Sequence, residues 1–432
     1  MRAIGFKGIL LMSFIKIKNR ALFLGFFCLF LLSGFSGKIG PLSFSLFDIA
    51  ALFLFFLVGL EFLYKKIGWY KGSLIFNSFV AHFLLLAIYP LLGFITNSAP
   101  FLDVSVMLRW IFFVCIFLYL IYELRRNERF LGIFFSALLF SGVLNSVYGT
   151  LMLIDTVLGL PFTMPHYFIA DIFNWKVDHH MRIPALFAGP NQLGWYALLG
   201  VLISFSAFIQ TSKFYYFVIF LLHLYLLVLS TARTAIIVFL FVFLFVVFMY
   251  SLRSLIALRF KKNILFIVFS AFFGLLVLIY FSYAFNVFRI DGLLRAFGVL
   301  SGNIGSVGFF SSRTELWPQA ISFYKYEFYP FGTWVTPTYY TGTIDSGWLT
   351  YLVWSGPFMV ISSALMFVVN FSYGIIGFIK RQCSFSLSLA MASLALAIGQ
   401  VTLSPLHYIP VLVLYCILIC LAYLNKRNRL VI

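Results

Sequence analysis

Three arginines stand where a positive charge needs a reason. Arg182 opens the segment Arg182-Ile183-Pro184-Ala185-Leu186-Phe187-Ala188-Gly189-Pro190-Asn191. Arg233 lies in Ser230-Thr231-Ala232-Arg233-Thr234-Ala235 between two apolar runs, and Arg313 precedes Glu315 and Trp317 in a more polar stretch. A guanidinium is a planar fork that can hold two oxygens of one phosphate, so such arginines suit a phosphorylated ligand. Groups able to move a proton share the same part of the chain: Asp178, His179, His180, Glu315 and Asp345. Asp345, in Thr343-Ile344-Asp345-Ser346-Gly347-Trp348, directly precedes a long apolar run, where partial burial makes a carboxylate a better proton acceptor.

Each of these residues also has a plainer reading. Arg233 can snorkel to lipid headgroups, Arg182 can pair with Asp178, and Asp291 with solvent suffices for Arg289 and Arg295. Asp345 or Ser346 can cap a helix, and Glu315 can close the capping box Ser312-Arg313-Thr314-Glu315. The same stretch offers a second helix start, with Pro318 in the first turn of a helix running to about Phe328. Asp178-His179-His180 lacks a further ligand and reads as a solvated turn rather than a metal site. His82 and His223, inside apolar runs, read as hydrogen-bonded bundle residues. Gly302, Gly305 and Gly308 lack the Lys-Ser/Thr of a phosphate-binding loop, and there is no G-x-G-x-x-G after a strand, no HExxH and no CxxC.

The elements that must position these residues are membrane spans. The chain of 432 residues is 63% hydrophobic and 10% charged, with mean hydropathy +1.06, well beyond an ordinary soluble domain. Windows of roughly 20 apolar residues fall at approximately 20–36, 44–64, 73–95, 104–122, 130–158, 191–209, 214–231, 233–251, 264–284, 347–371, 385–403 and 408–424. This predicts an all-α integral membrane protein of about 12 helices, forming one polytopic domain over residues 1–432.

The formal charge of +18 invites a nucleic-acid reading that its distribution rejects. Basic residues crowd the N-terminus and then alternate connections: Lys65, Lys66 and Lys71; Arg125, Arg126 and Arg129; Lys213; Arg253, Arg259, Lys261 and Lys262; Lys380 and Arg381; Lys426, Arg427 and Arg429. By the positive-inside rule these lie in the cytoplasm, with both termini. They carry 21 basic residues against Glu61, Glu123 and Glu128, so the excess charge is a topology signal and no nucleic-acid partner is expected.

Two connections, at about 159–190 and 285–346, are long and fall on the outer face, the second between spans 9 and 10. Loops of that length in a compact fold are functional or disordered, and their aromatic residues argue for order. Of eight tryptophans, Trp110, Trp175, Trp195, Trp317, Trp334, Trp348 and Trp354 map to the outer side, leaving Trp69 inside. They serve as interfacial anchors, or, for Trp317, Trp334 and Trp348, as flat faces for sugar rings. The five cysteines fall in spans or on the inner side, so no disulfide is expected. The basic N-terminus and its apolar stretch lack an A-x-A site and read as an uncleaved first helix.

In order, Arg182…Gly189-Pro190-Asn191-Gln192-Leu193-Gly194, Ser230-Thr231-Ala232-Arg233-Thr234-Ala235, Arg313…Trp317, Pro330-Phe331-Gly332 and Asp345-Ser346-Gly347-Trp348 resemble the O-antigen polymerase and ligase superfamily. The resemblance covers roughly residues 180–360 in motif detail and the whole chain in topology. It implies a GT-C-like, metal-independent glycosyltransferase of the bacterial inner membrane, without cofactor, acting on the periplasmic face in lipopolysaccharide biosynthesis. Undecaprenyl-diphosphate-linked repeat units would be donor and acceptor, with membrane lipids and a chain-length regulator protein as further partners. By position Arg182 and Arg233, with Asn191, resemble the diphosphate-binding residues, and Arg313 the large-loop arginine; Asp345 is then the inferred base, with Glu315 in reserve.

Ligases of this superfamily carry a histidine near the start of the span after the large loop. This chain has Asp345 there and no histidine between His223 and His407, which favours a repeat-unit polymerase of Wzy type. An O-antigen ligase is the nearest alternative. A flippase for the same lipid-linked oligosaccharide is the alternative outside enzymes, and transporters place polar, broken helices near the midplane. Here the spans are poor in charge, with Asp48 and Asp155 the main exceptions.

Overall fold

The structure, a computed structural model, describes residues 18–28, 30, 36–39, 42–45, 56, 73–95, 102–127, 129–158, 183–187, 189–256, 317–325, 332, 346–381 and 383–426. These residues are helical apart from short connections and one hairpin. In order they form α1 (18–28), β1 (Ser36–Ile39), β2 (Leu42–Ser45), α2 (Leu74–Ile95), α3 (Leu102–Arg126), α4 (Phe130–Leu158), α5 (Pro190–Thr211), α6 (Phe214–Leu229) and α7 (Arg233–Ile256). There follow α8 (317–323), α9 (Gly347–Arg381), α10 (Ser384–Thr402), a 3-10 turn (Pro405–His407) and α11 (Ile409–Lys426).

Nine of the apolar windows coincide with α2 to α7 and α9 to α11, to within five residues except that α9 runs ten residues past its window, and α1 overlaps the first. The windows at 44–64 and 264–284 lie largely outside the described residues. Among the described residues six helical stretches are long and apolar enough to cross a membrane: Leu74–Gly93, Phe130–Asp155, Pro190–Thr211, Arg233–Tyr250, Gly347–Lys380 and Ser384–Thr402. The hairpin pairs Ser36 with Ser45 and Ile39 with Leu42, where the first window ends and the second begins. Ser36, Gly37, Ser43 and Ser45 are weak helix formers, and the intervening Gly40-Pro41 is a turn-forming pair.

Side chains on the outside of the bundle confirm an apolar surrounding. Phe358, Ile361, Leu365 and Val368 form an exposed stripe at helical spacing on α9, and Phe140, Leu144 and Val147 do so on α4. A soluble monomer does not leave such stripes in water; a membrane-embedded one presents them to lipid. Inside, α5 is buried continuously from Leu193 to Ala207 and is therefore apolar all round. Small polar residues join the central helices. The Ser206 hydroxyl donates to the Ser384 carbonyl at 3.0 Å and Ser388 to the Leu202 carbonyl at 3.0 Å, while Asn370 Nδ2 donates to the Tyr415 hydroxyl at 2.9 Å. Such bonds add cohesion where lipid removes the hydrophobic drive between helices.

At one end of the bundle α1, α3 and α11 meet. Lys18 Nζ lies 2.5 Å from Glu123 Oε1, Asn127 donates to both Glu123 and Asn19, and the Arg125 guanidinium stands 5.8 Å above the Tyr423 ring. Glu123 is 1% exposed, and Lys18 and Asn127 bind its carboxylate in the interior.

α9 is broken. Gly356 has φ 70° and ψ −169°, and Pro357 follows, so two helical segments meet there. Gly332, in the connection between α8 and α9 and itself at φ +79°, closes on this break: a Cβ on Gly332 would lie 2.6 Å from the backbone of Trp354 and Ser355. Its backbone thus packs against that of α9 where the helix is interrupted. Beside it, α8 packs Ala320 and Tyr324 onto Val353 of α9. Pro318 lies in the first described turn of α8; Ser312 to Glu315, which offer the other possible start, lie outside the described residues.

Candidate functional site at the convergent helix ends

The end of the bundle opposite the Lys18–Glu123 pair gathers the motifs that the sequence singled out. Residues 183–187 fold back into the bundle as a turn in which Phe187 N donates to the Pro184 carbonyl at 3.0 Å, with Ala185 at φ 50°. Ile183, Ala185 and Phe187 are buried. Asn145 of α4 holds the turn: its Oδ1 accepts from Leu186 N at 3.2 Å, while its Nδ2 donates to the Ser141 carbonyl at 2.9 Å. A Cβ on Gly149, one turn further along α4, would meet Leu229 Cδ2 at 2.4 Å, Ala185 Cβ at 3.4 Å and Ile183 Cγ2 at 3.6 Å. The residue after Arg182 therefore packs beside the last residue of α6, next to the turn that carries Arg233.

That turn is built by Ser230. Its hydroxyl donates to the Leu227 carbonyl at 2.7 Å and accepts from Ala232 N at 3.2 Å, while Thr231 adopts φ 48°. The chain reverses within three residues and delivers Arg233, half-buried, as the first residue of α7. A cation at a helix N-terminus opposes the macrodipole, which costs roughly 0.3–1 kcal/mol, whereas an anion in the same place is favoured by both the guanidinium and the exposed N–H groups. α5 begins beside it. Gly189 is extended, Pro190 takes the first helical position, and Asn191 and Gln192 follow in the first turn. Gly194 brings the two segments together, because a Cβ there would lie 2.5 Å from Ala232 Cβ and 3.0 Å from Ser230 Oγ.

α9 reaches the same place through α10. Thr402 Oγ1 donates to Thr234 Oγ1 at 3.4 Å, and the next residue, Leu403, accepts from Gly347 N at 2.9 Å. The helix cap that the sequence divided between Asp345 and Ser346 is made by Ser346, whose hydroxyl accepts from Leu349 N at 3.4 Å and donates to the Gln400 carbonyl at 3.3 Å. Trp195 and Pro405 close around Gly399, where a Cβ would stand 2.4 Å from the indole Cη2. The N-termini of α5, α7 and α9 thus converge, and their positive dipole ends share one face with Arg233.

Of the residues expected to act, Arg233 and Asn191 belong to touching segments of this cluster. Trp348 lies at its edge, with Nε1 donating to the Ala397 carbonyl at 3.1 Å, which favours an anchoring role for that ring. Trp317 starts the described part of α8, near the break in α9. Arg182, Arg313, Glu315, Trp334 and Asp345 lie outside the described residues, as do Asp178, His179, His180, Arg289 and Arg295; the neighbours Ile183 and Ser346 belong to the cluster. His223 is hydrogen-bonded: Nδ1 lies 2.8 Å from the Ile219 carbonyl and Nε2 3.4 Å from the Tyr196 hydroxyl. His82 is different, fully buried with neither ring nitrogen paired.

The structure adds polar residues that the sequence reading did not single out: Asn145, Gln400 and Thr402. Their only signal was a polar side chain within or at the end of an apolar window. Asp155, 4% exposed near the C-terminal end of α4, places a carboxylate within the bundle on this side. Among the described residues no three His, Cys, Asp or Glu side chains gather as a metal site would require. Compared with known protein families and with curated proteins, the chain finds no match.

Proposed function

We propose that the chain is a membrane glycosyltransferase, specifically an O-antigen polymerase joining undecaprenyl-diphosphate-linked repeat units on the periplasmic face of a bacterial inner membrane, with about 12 spans and both termini in the cytoplasm. The observation that carries this reading is the meeting of Gly189–Gly194, Ser230–Ala235 and Ser346–Gly347 at one end of the bundle, with Arg233 among three helix N-termini. The Lys18–Glu123 pair at the opposite end supports the orientation, because it joins groups that the charge pattern assigns to the cytoplasm.

The chemistry follows from that arrangement. A hydroxyl of the acceptor sugar attacks the anomeric carbon of the donor, the bond from that carbon to the diphosphate oxygen breaks, and undecaprenyl diphosphate leaves with the electron pair. Arg233, Arg182 and the helix N-termini stabilise the negative charge that grows on the leaving group, and Arg313 contributes from the large loop. A carboxylate, Asp345 in first place and Glu315 in reserve, takes the hydroxyl proton. Asn191 orients the diphosphate from the first turn of α5.

One observation favours a second reading. A broken helix packed against re-entering chain, as at Gly356 and Gly332, is a transporter device, which fits a flippase for the same lipid-linked glycan. Deletion of the gene separates the two. Loss of the polymerase leaves lipopolysaccharide with a single repeat unit on its core, whereas loss of a flippase, or of a ligase, removes O-antigen altogether. In a complemented strain Arg233→Ala and Arg182→Ala should abolish polymer while the protein still inserts. Full-length ladders from either variant would refute the diphosphate assignment.

A further inference from the structure

A second group of polar side chains joins α2, α3, α9 and α10, and Gln400 links it to the convergent helix ends. His82 of α2 is fully buried, neither ring nitrogen has a hydrogen-bonding partner, and its ring packs edge-on to Tyr351 of α9 with centroids 5.7 Å apart. The Tyr351 ring also packs on His407 at 5.7 Å, and His407 on Trp110 of α3 at 5.6 Å. Trp110 is 4% exposed with its indole N–H unpaired. The Tyr351 hydroxyl faces the buried Gln400 side chain, and neither has another partner. Four residues along α9 from Gly347, Tyr351 lies about 6 Å below the helix start. The buried group therefore lies about one helical turn from the convergent helix ends.

Its chemistry is specific. Imidazole, indole, phenol and carboxamide offer donors and acceptors without a guanidinium to favour an anion, and among the described residues no third ligand joins the two histidines as a metal site would require. Aromatic faces beside uncharged hydrogen-bonding groups match a sugar ring, whose C–H faces are apolar and whose rim carries hydroxyls. Purely structural packing would fill such a place with apolar side chains, because an unpaired buried polar group is destabilising.

We propose that His82, Trp110, Tyr351 and Gln400 form a binding site for an uncharged sugar residue of the acceptor chain, adjoining the diphosphate-binding face. The inference rests on the polymerase reading for the identity of the sugar. The pairing of a charged donor face with an uncharged acceptor site lets one face hold a leaving group while the other holds the chain that remains.

The test is equilibrium binding of the free single-repeat oligosaccharide, released by mild acid from the lipid-linked intermediate of the strain that encodes the chain. The full-length protein in lipid nanodiscs is titrated by calorimetry. Wild-type protein should bind, and His82→Phe and Gln400→Leu should each weaken binding by about tenfold or more, since each removes a hydrogen-bonding partner and leaves the sugar hydroxyl unpaired. His82→Gln, which keeps a donor and an acceptor, should recover part of the affinity. Arg233→Ala should bind as wild type does, because the probe carries no diphosphate. Melting temperatures of the Phe and Leu variants should equal or exceed that of wild type, which separates lost binding from lost folding. Absence of binding by the wild-type protein, or unchanged affinity in both apolar variants, overturns the site. The polymerase reading stands or falls separately, on the ladder of the deletion strain.

Discussion

Gly194→Ala tests whether contact between α5 and the Ser230–Ala235 turn positions the site. The added methyl would stand 2.5 Å from Ala232 Cβ, 3.0 Å from Ser230 Oγ and 3.2 Å from Ala235 Cβ. Carbon atoms rest about 3.5–4.0 Å apart, so the turn must retreat by about 1 Å. It cannot do so by rotating a side chain, because Ala232 and Ala235 have none to rotate and Ser230 is committed at 2.7 Å to the Leu227 carbonyl. Overpacking of this kind costs about 1–3 kcal/mol, and a displacement of about 1 Å in a positioning group can cost about a hundredfold in rate. Gly189→Ala is the control from the same motif. Nothing lies within 4 Å of its Cβ position and its φ of −171° suits any residue, so its effect should stay within about 0.5 kcal/mol. Both variants are expressed in the deletion strain, with the lipopolysaccharide ladder and the melting of the purified protein as readouts. Gly194→Ala should shorten or abolish the ladder and lower the melting temperature; Gly189→Ala should do neither. Indistinguishable behaviour of the two variants would refute the positioning argument.

Three further perturbations follow from the packing. Lys18→Met leaves Glu123 buried without its cation and should destabilise the protein by about 3–5 kcal/mol, most of it recovered in Lys18→Met/Glu123→Leu; equal unfolding midpoints for wild type and the single variant would count against the pair. Asn145→Leu removes the acceptor for Leu186 N and should cost about 1–3 kcal/mol, read as faster hydrogen exchange over residues 183–187; unchanged exchange there would contradict the anchoring role. Gly332→Ala forces a side chain into a positive-φ position, at about 1–2 kcal/mol, and against backbone atoms 2.6 Å away, so the large outer loop should be cleaved faster by added protease. Unaltered cleavage would show that the loop does not depend on that contact.

The helices were legible because their signal is local. A run such as Phe130–Leu158 announces itself by length and apolarity alone. Arg233 was legible for a related reason: a guanidinium at the edge of hydrocarbon is costly enough to stand out in one sequence. Gln400 and Ser346 carry no comparable signal. A neutral polar residue in an apolar window reads the same whether it glues two helices, caps a third or faces a ligand, and the Ser346–Gln400 bond joins residues 54 apart in the chain. His82 and His223 make the point directly, being a lone histidine in a span in each case. One is bonded to the Ile219 carbonyl a turn away, and the other has no such bond because its ring is turned toward α9.

The break in α9 was hidden for a different reason. Pro357 sits in a window apolar enough to read as one span, and proline is tolerated in membrane helices when other groups take over the lost backbone bond. Only the positive φ of Gly356 and the approach of Gly332 show that the helix yields there. Gly189 and Gly194 illustrate the same limit within a single motif, since their spacing is equally visible and only one of them touches the partner turn. The charge that would act on a diphosphate is therefore held by groups that carry none. Gly194 sets the distance between α5 and the turn, Ser230 sets the turn, and Thr402 and Leu403 tie it to α9. For that reason a methyl group at Gly194 tests the site as directly as removal of Arg233.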